Sequence, residues 1–123
     1  MKRLFSLSLC LAVFGTTALA QAVYTSSEGH SYRATCNTNG YIITSVYPVS
    51  RFTSGDASGQ IVQQIEVIYL GKSCDAFSKV LGQGQWCWAN GGFVADLEGG
   101  SVGFPRQELY CQLQTDLGIG CLC

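Results

Sequence analysis

The densest chemistry in the sequence is sulfur: seven cysteines in 123 residues. Cys10 falls in a leading apolar stretch, which leaves Cys36, Cys74, Cys87, Cys111, Cys121 and Cys123. Adjacent thiolates at Cys121-Leu122-Cys123 are soft enough to hold Cu(I) or to enter thiol exchange. A redox pair more usually reads Cys-x-x-Cys, and in an oxidising compartment six cysteines pair as structural bridges. All six are expected to be bridged. Cys36–Cys111 is the expected named pair, because each lies on a candidate strand, and the pairing of the other four stays open.

The remaining reactive side chains make no catalytic pattern. His30 stands beside Ser26, Ser27, Glu28 and Ser31, but no nucleophile motif accompanies it. It reads as a solvated histidine in a mobile segment. Asp96, Glu98, Glu108 and Asp116 could supply paired carboxylates for glycosidic chemistry, which needs a defined separation and one raised pKa. Asp96 and Glu98 flank a glycine turn, where acidic residues commonly serve solubility. A non-enzyme without cofactor or metal is therefore expected.

Recognition is the remaining option. Trp86, Trp88, Phe93, Tyr41, Tyr47 and Tyr69 are a candidate stacking platform for sugars or an anchor for a protein. For the two tryptophans, filling the core is the better reading. Loops on a stapled scaffold commonly carry recognition. The candidates are Ser58 and Gly59 in the 54–60 loop, Lys72 with Ser73, and Arg106 in the 105–108 stretch.

The start of the chain predicts an address. Met1-Lys2-Arg3 is basic, residues 4–14 are apolar, and Ala18-Leu19-Ala20 is a small-residue cleavage pattern. The run is too short to span about 30 Å of hydrocarbon. Residues 1–20 therefore read as a signal peptide, and residues 21–123 as one disulfide-stapled domain that is periplasmic or secreted. Lys2 and Arg3 leave with the signal, so five basic residues face eight acidic ones, a net charge of −3. That balance lacks the basic footprint of a nucleic-acid binder. Only 12% charged residues, with 11% aromatic, also excludes charge-driven disorder.

The elements that must position these residues read as short strands. Residues 31–36 and 41–47 are strand candidates around the turn Asn37-Thr38-Asn39-Gly40. Residues 61–70 read as the longest strand, with Ile61, Ile65, Val67 and Tyr69 on one face and Gln64 and Glu66 on the other. Residues 75–81 read as one short helix, capped by Ser73 or Asp75, with Phe77, Val80 and Leu81 at helical spacing. Trp86 to Leu97 is a hairpin. An Asn90-Gly91 turn sets Trp88 opposite Phe93, and a Gly91-Gly92 turn sets it opposite Ala95. Either register puts Trp86, Trp88, Phe93, Ala95 and Leu97 on one buried face. Strands at 101–104 and 106–113 complete a mostly β fold, a small antiparallel barrel or sandwich.

The layout resembles the bacterial membrane-bound or periplasmic inhibitors of C-type lysozyme. Tyr32 before Cys36, the Ser58-Gly59 loop, Trp86-Cys87-Trp88 running into a glycine turn and Phe93-Val94-Ala95, and Cys111-Gln112-Leu113 carry the likeness. It implies a small antiparallel β-barrel whose Ser58 faces the lysozyme cleft. The family also uses a lysine near the later glycine turn, and Asn90 stands about there, so no lysine is assigned. The expectation is an exported, non-catalytic protein-binding module, an inhibitor of an extracytoplasmic hydrolase such as lysozyme. A glycan or cell-wall binding module and a structural or metal-handling envelope protein are the alternatives. The partner is thus a protein or glycan outside the cytoplasm, with no nucleic acid and no membrane span.

Overall fold

A computed structural model describes residues 22–53, 59–110 and 120–123. The signal segment, Ser58, Cys111 and Asp116 lie outside them. The described residues form ten strands: β1 (Val23–Thr25), β2 (Ser31–Asn37), β3 (Gly40–Ser45), β4 (Val49–Thr53), β5 (Gln60–Gln64), β6 (Val67–Gly71), β7 (Asp75–Ser78), β8 (Gly82–Ala89), β9 (Gly92–Leu97) and β10 (Gly100–Phe104). Eight of them make one antiparallel sheet in the order β1-β2-β3-β6-β7-β8-β9-β10, and β4 pairs only with β5.

The large sheet curls until its two edges nearly meet. The Ser27 N–H donates to the Gly103 carbonyl at 2.8 Å. Beyond β10 the Gln107 side chain takes over the role of a strand. Its Oε1 accepts from the Thr25 N–H at 2.7 Å, and its Nε2 donates to the Thr25 carbonyl at 2.7 Å. This side chain satisfies edge groups that a closed barrel would pair through backbone.

Alternation along each strand fills the interior with rings. Tyr24, Tyr32, Tyr41, Trp86, Phe93 and Phe104 are all buried. Phe93 stacks on Phe104 with ring centroids 4.5 Å apart, and Tyr24 and Trp88 approach it edge-on at 5.9 and 6.3 Å. Offset and edge-to-face pairs of this kind add to the area term of aromatic burial.

The β8–β9 hairpin has the Asn90-Gly91 register, with Trp88 opposite Phe93 and Trp86 opposite Ala95. Asn90 and Gly91 have φ of 55° and 69°, the left-handed pair that a type I′ turn demands. Trp86 is buried and donates its indole N–H to the Gly71 carbonyl at 2.7 Å. Trp88 corrects the expectation of full burial, since it is only partly buried at the rim of the core.

Four other expectations are corrected. Residues 75–78 are strand β7, bonded to β6 and β8 on its two sides, and no helix occurs among the described residues. A helix of one or two turns has no stability of its own, whereas this strand satisfies its backbone from both neighbours. The 61–70 run breaks at Ile65-Glu66 into β5 and β6, which belong to different sheets. Its inward face carries Ile68, Leu70 and Glu66, while Ile61, Ile65 and Tyr69 face solvent. The described part of the expected 106–113 strand contains no strand, and Gln107 closes the seam instead. The segment before β2 is strand β1, so His30 sits half-buried in a β1–β2 turn, its N–H bonded to Ser26 Oγ.

Two described disulfides staple the far end of the chain to the barrel: Cys74–Cys121 and Cys87–Cys123. Cys36 is disulfide-bonded as well, and its expected partner Cys111 lies outside the described residues. Such bridges belong to a chain that folds in an oxidising compartment outside the cytoplasm. Among the described residues no helix is long and apolar enough to cross a membrane.

Candidate functional site

The β4–β5 hairpin is the one paired element of the described structure that is not part of the large sheet. Five ladder pairs from Val49–Gln64 to Thr53–Gln60 hold it together. Alternation gives it two faces. Val49 is buried at its root, and Arg51 points the same way, toward the barrel. Phe52 and its ladder partner Ile61 face out, 66% and 74% exposed. Tyr47 and Ile65, which flank the hairpin at its root, are exposed too. Phe52 lies against Gly59, whose φ of +41° and lack of Cβ make room for the ring.

A buried charge network fixes the root. Arg51 Nε donates to Glu66 Oε1 at 2.8 Å and Nη2 donates to Glu66 Oε2 at 2.8 Å, a bidentate fork. Nη1 donates to Glu28 Oε1 at 2.7 Å. Tyr32 donates its phenol proton to Glu66 Oε2 at 2.5 Å. The Glu66 N–H donates to Ser45 Oγ, and the Ser45 N–H donates to the Glu66 carbonyl, both at 2.8 Å. The Glu66 side chain is 3% exposed and that of Arg51 11%, whereas that of Glu28 is 48% exposed at the rim.

Burial and then the hydrogen bond to the Glu66 carboxylate push the Tyr32 phenol well above the usual tyrosine range. The Glu66 hydrogen bonds hold the Arg51 guanidinium above its ordinary value. Tyr32 is thus a neutral donor and Arg51 a permanent cation at every physiological pH. The network holds a conformation: the neutral Tyr32 phenol and the Arg51 cation both donate to the buried Glu66 side chain.

The residues expected to bind do not converge. Following the strands, one end of the barrel carries the 26–30 turn, the root of the β4–β5 hairpin and the 79–81 and 98–99 turns. The other carries the 38–39, 72–74, 90–91 and 105–106 turns. Gly59 belongs to the hairpin, while Lys72 and Arg106 are exposed at the opposite end. Arg106 has a φ of 56° and donates its N–H to the Asn90 carbonyl at 3.2 Å. An arginine therefore stands beside the 90–91 glycine turn, sixteen positions along the chain from Asn90.

The other chemistries fare as follows. Cys121 and Cys123 are both in disulfides, so neither has a thiolate for a soft metal. Among the described residues no group of three or more His, Cys, Asp or Glu gathers as a metal site. Asp96 accepts from Ser101 Oγ at 2.8 Å across the β9–β10 turn. Half-buried Trp88 lines an open pocket of about 460 Å³ with Asn90, Glu108 and Leu109.

Sequence reasoning missed Arg51 and the inward role of Glu66. The one signal was a lone carboxylate between Ile65 and Val67, in an otherwise apolar run. Comparison of the chain with family models, with curated proteins and with solved structures finds no match.

Proposed function

We propose that the chain is an exported, non-catalytic protein-binding module, periplasmic or secreted, that inhibits an extracytoplasmic hydrolase of the C-type lysozyme kind. Its docking element is the β4–β5 hairpin. One observation carries this reading: the hairpin stands apart from the sheet, shows Phe52 and Ile61 to solvent, and is anchored through Arg51. Large apolar side chains held outward on a rigid root are what a protein interface uses as anchors. Pre-organisation lowers the ordering cost of binding. The resemblance noted above supplies the partner class, and Gly59, which packs under Phe52, is one of the two residues it points to.

The test is titration of residues 21–123 against a panel of C-type lysozymes, followed by calorimetry and by inhibition of cell-wall lysis. Binding that Phe52→Ala and Ile61→Ala each weaken by about tenfold or more supports the proposal. No binding to any member of the panel, or binding indifferent to both substitutions, overturns it.

A further inference from the structure

On the outer wall of the barrel, two rings stack across neighbouring strands. Tyr69 on β6 and Phe77 on β7 are ladder partners, 46% and 42% exposed. Their centroids are 6.3 Å apart and their planes are 30° from parallel. They border a cleft of about 310 Å³ that Asn37, Asn39 and Asp75 also line. Its floor includes Gly40 and Gly71, and a Cβ on either would collide, with the Leu70 carbonyl at Gly40 and with the Asp75 carboxylate at Gly71. The Gly71 carbonyl is tied to the core by the Trp86 indole, and the Lys72 N–H donates to the Asn39 carbonyl at 2.9 Å. The floor is therefore fixed backbone, with the Asp75 carboxylate packed where a side chain on Gly71 would lie.

We infer that this cleft is a carbohydrate subsite that takes a flat, β-1,4-linked oligosaccharide. The outer faces and edges of this stacked, half-exposed ring pair give an apolar strip for the C–H face of an equatorially linked pyranose. A purely apolar partner would leave the Asp75 carboxylate and the two amides without hydrogen bonds when it covered them. Hydroxyl groups supply both donors and acceptors to these side chains. Asp75 is exposed and lines the cleft, which puts its carboxylate within reach of a sugar hydroxyl. Clefts lined by aromatic and apolar side chains with a few convergent polar groups are the usual form of ligand sites. The inference is independent of the hairpin reading, because the cleft and the hairpin share no residue.

Residues 21–123, uniformly nitrogen-15 labelled, are to be titrated with chitotetraose and with cellotetraose. Shifts of the amide resonances of residues 37–42 and 69–77 on adding at least one of them are expected. Tyr69→Ala and Phe77→Ala should each weaken that binding about tenfold or more, and Asp75→Asn measurably. Phe52→Ala is the control and leaves it unchanged. Thermal melts establish that each variant is folded. Failure of both sugars to shift these resonances overturns the inference, as does binding that survives loss of both rings. Loss of binding in Phe52→Ala alone would transfer the sugar to the hairpin and overturn it equally.

Discussion

Arg51 and Glu66 face each other across the root of the β4–β5 hairpin through two parallel hydrogen bonds of 2.8 Å. Arg51 belongs to β4, and Glu66 sits at the junction between β5 and β6. The pair therefore ties the two-stranded ribbon to the point where the chain re-enters the large sheet. An isolated two-stranded hairpin is marginal in water, so this tie, with Val49 beneath it, is what gives the ribbon a fixed pose.

Breaking the pair from one side should be costly. Arg51→Ala leaves the Glu66 carboxylate buried without its cation, and a loss of about 3–5 kcal/mol is expected in urea melts. Replacing the trio together, as Arg51→Met, Glu66→Leu and Tyr32→Phe, should cost less than that single change, because no buried charge is left alone. Glu28→Gln, at the exposed rim, should cost less than about 1 kcal/mol. Equal losses for Arg51→Ala and Glu28→Gln would show that the buried fork does not hold the hairpin.

The Tyr32 phenol gives an alkaline signature. Its pKa in the folded protein is raised above the unfolded value near about 10, by burial first and by Glu66 next. Its contribution to stability is therefore full below about pH 10 and is lost as pH rises through the higher folded-state value. The stability advantage of the native protein over Tyr32→Phe should shrink steadily above about pH 10. Ultraviolet titration should show a tyrosine that ionises late and is missing from Tyr32→Phe. A stability difference that stays constant through this range would contradict the assigned shift.

The two tryptophans should separate. Trp86 is 1% exposed and donates to Gly71, so Trp86→Ala should cost about 3–5 kcal/mol. Trp88 is only partly buried, and Trp88→Ala should cost clearly less by chemical denaturation. Equal costs would place Trp88 in the core after all.

The terminal staples are open to direct mapping. Peptide analysis without reduction should recover Cys74 linked to Cys121 and Cys87 linked to Cys123, with no free thiol at either. Removing the second bridge as Cys87→Ala with Cys123→Ala should cost about 2–4 kcal/mol. It should also loosen the contact in which the Trp88 N–H donates to the Cys121 carbonyl at 2.7 Å. A Cys74–Cys87 or Cys121–Cys123 peptide would refute this connectivity.

Local chemistry was legible in the sequence. Asn90-Gly91-Gly92 between alternating hydrophobics signalled a tight hairpin and, in either register, the shared parity of Trp86, Phe93, Ala95 and Leu97, and the structure selected the Asn90-Gly91 turn. The even number of cysteines beyond Cys10 signalled a stapled β domain in an oxidising compartment. Alternation within 67–70 set Val67 and Tyr69 against Ile68 and Leu70. It did not show which face meets the core, because parity is local and burial depends on the strands that pair on either side. Only the tertiary structure turned Glu66 inward with Ile68 and Leu70, and left Ile61 and Tyr69 outside. Residues 75–81 have helical spacing at Phe77, Val80 and Leu81, yet the open edges of β6 and β8 made residues 75–78 a strand, since a lone turn of helix cannot match two ladders. The same long-range pairing rooted the hairpin that carries Gly59 at one end of the barrel and put Lys72 and Arg106 at the other, a separation that depends on strand order and not on spacing along the chain.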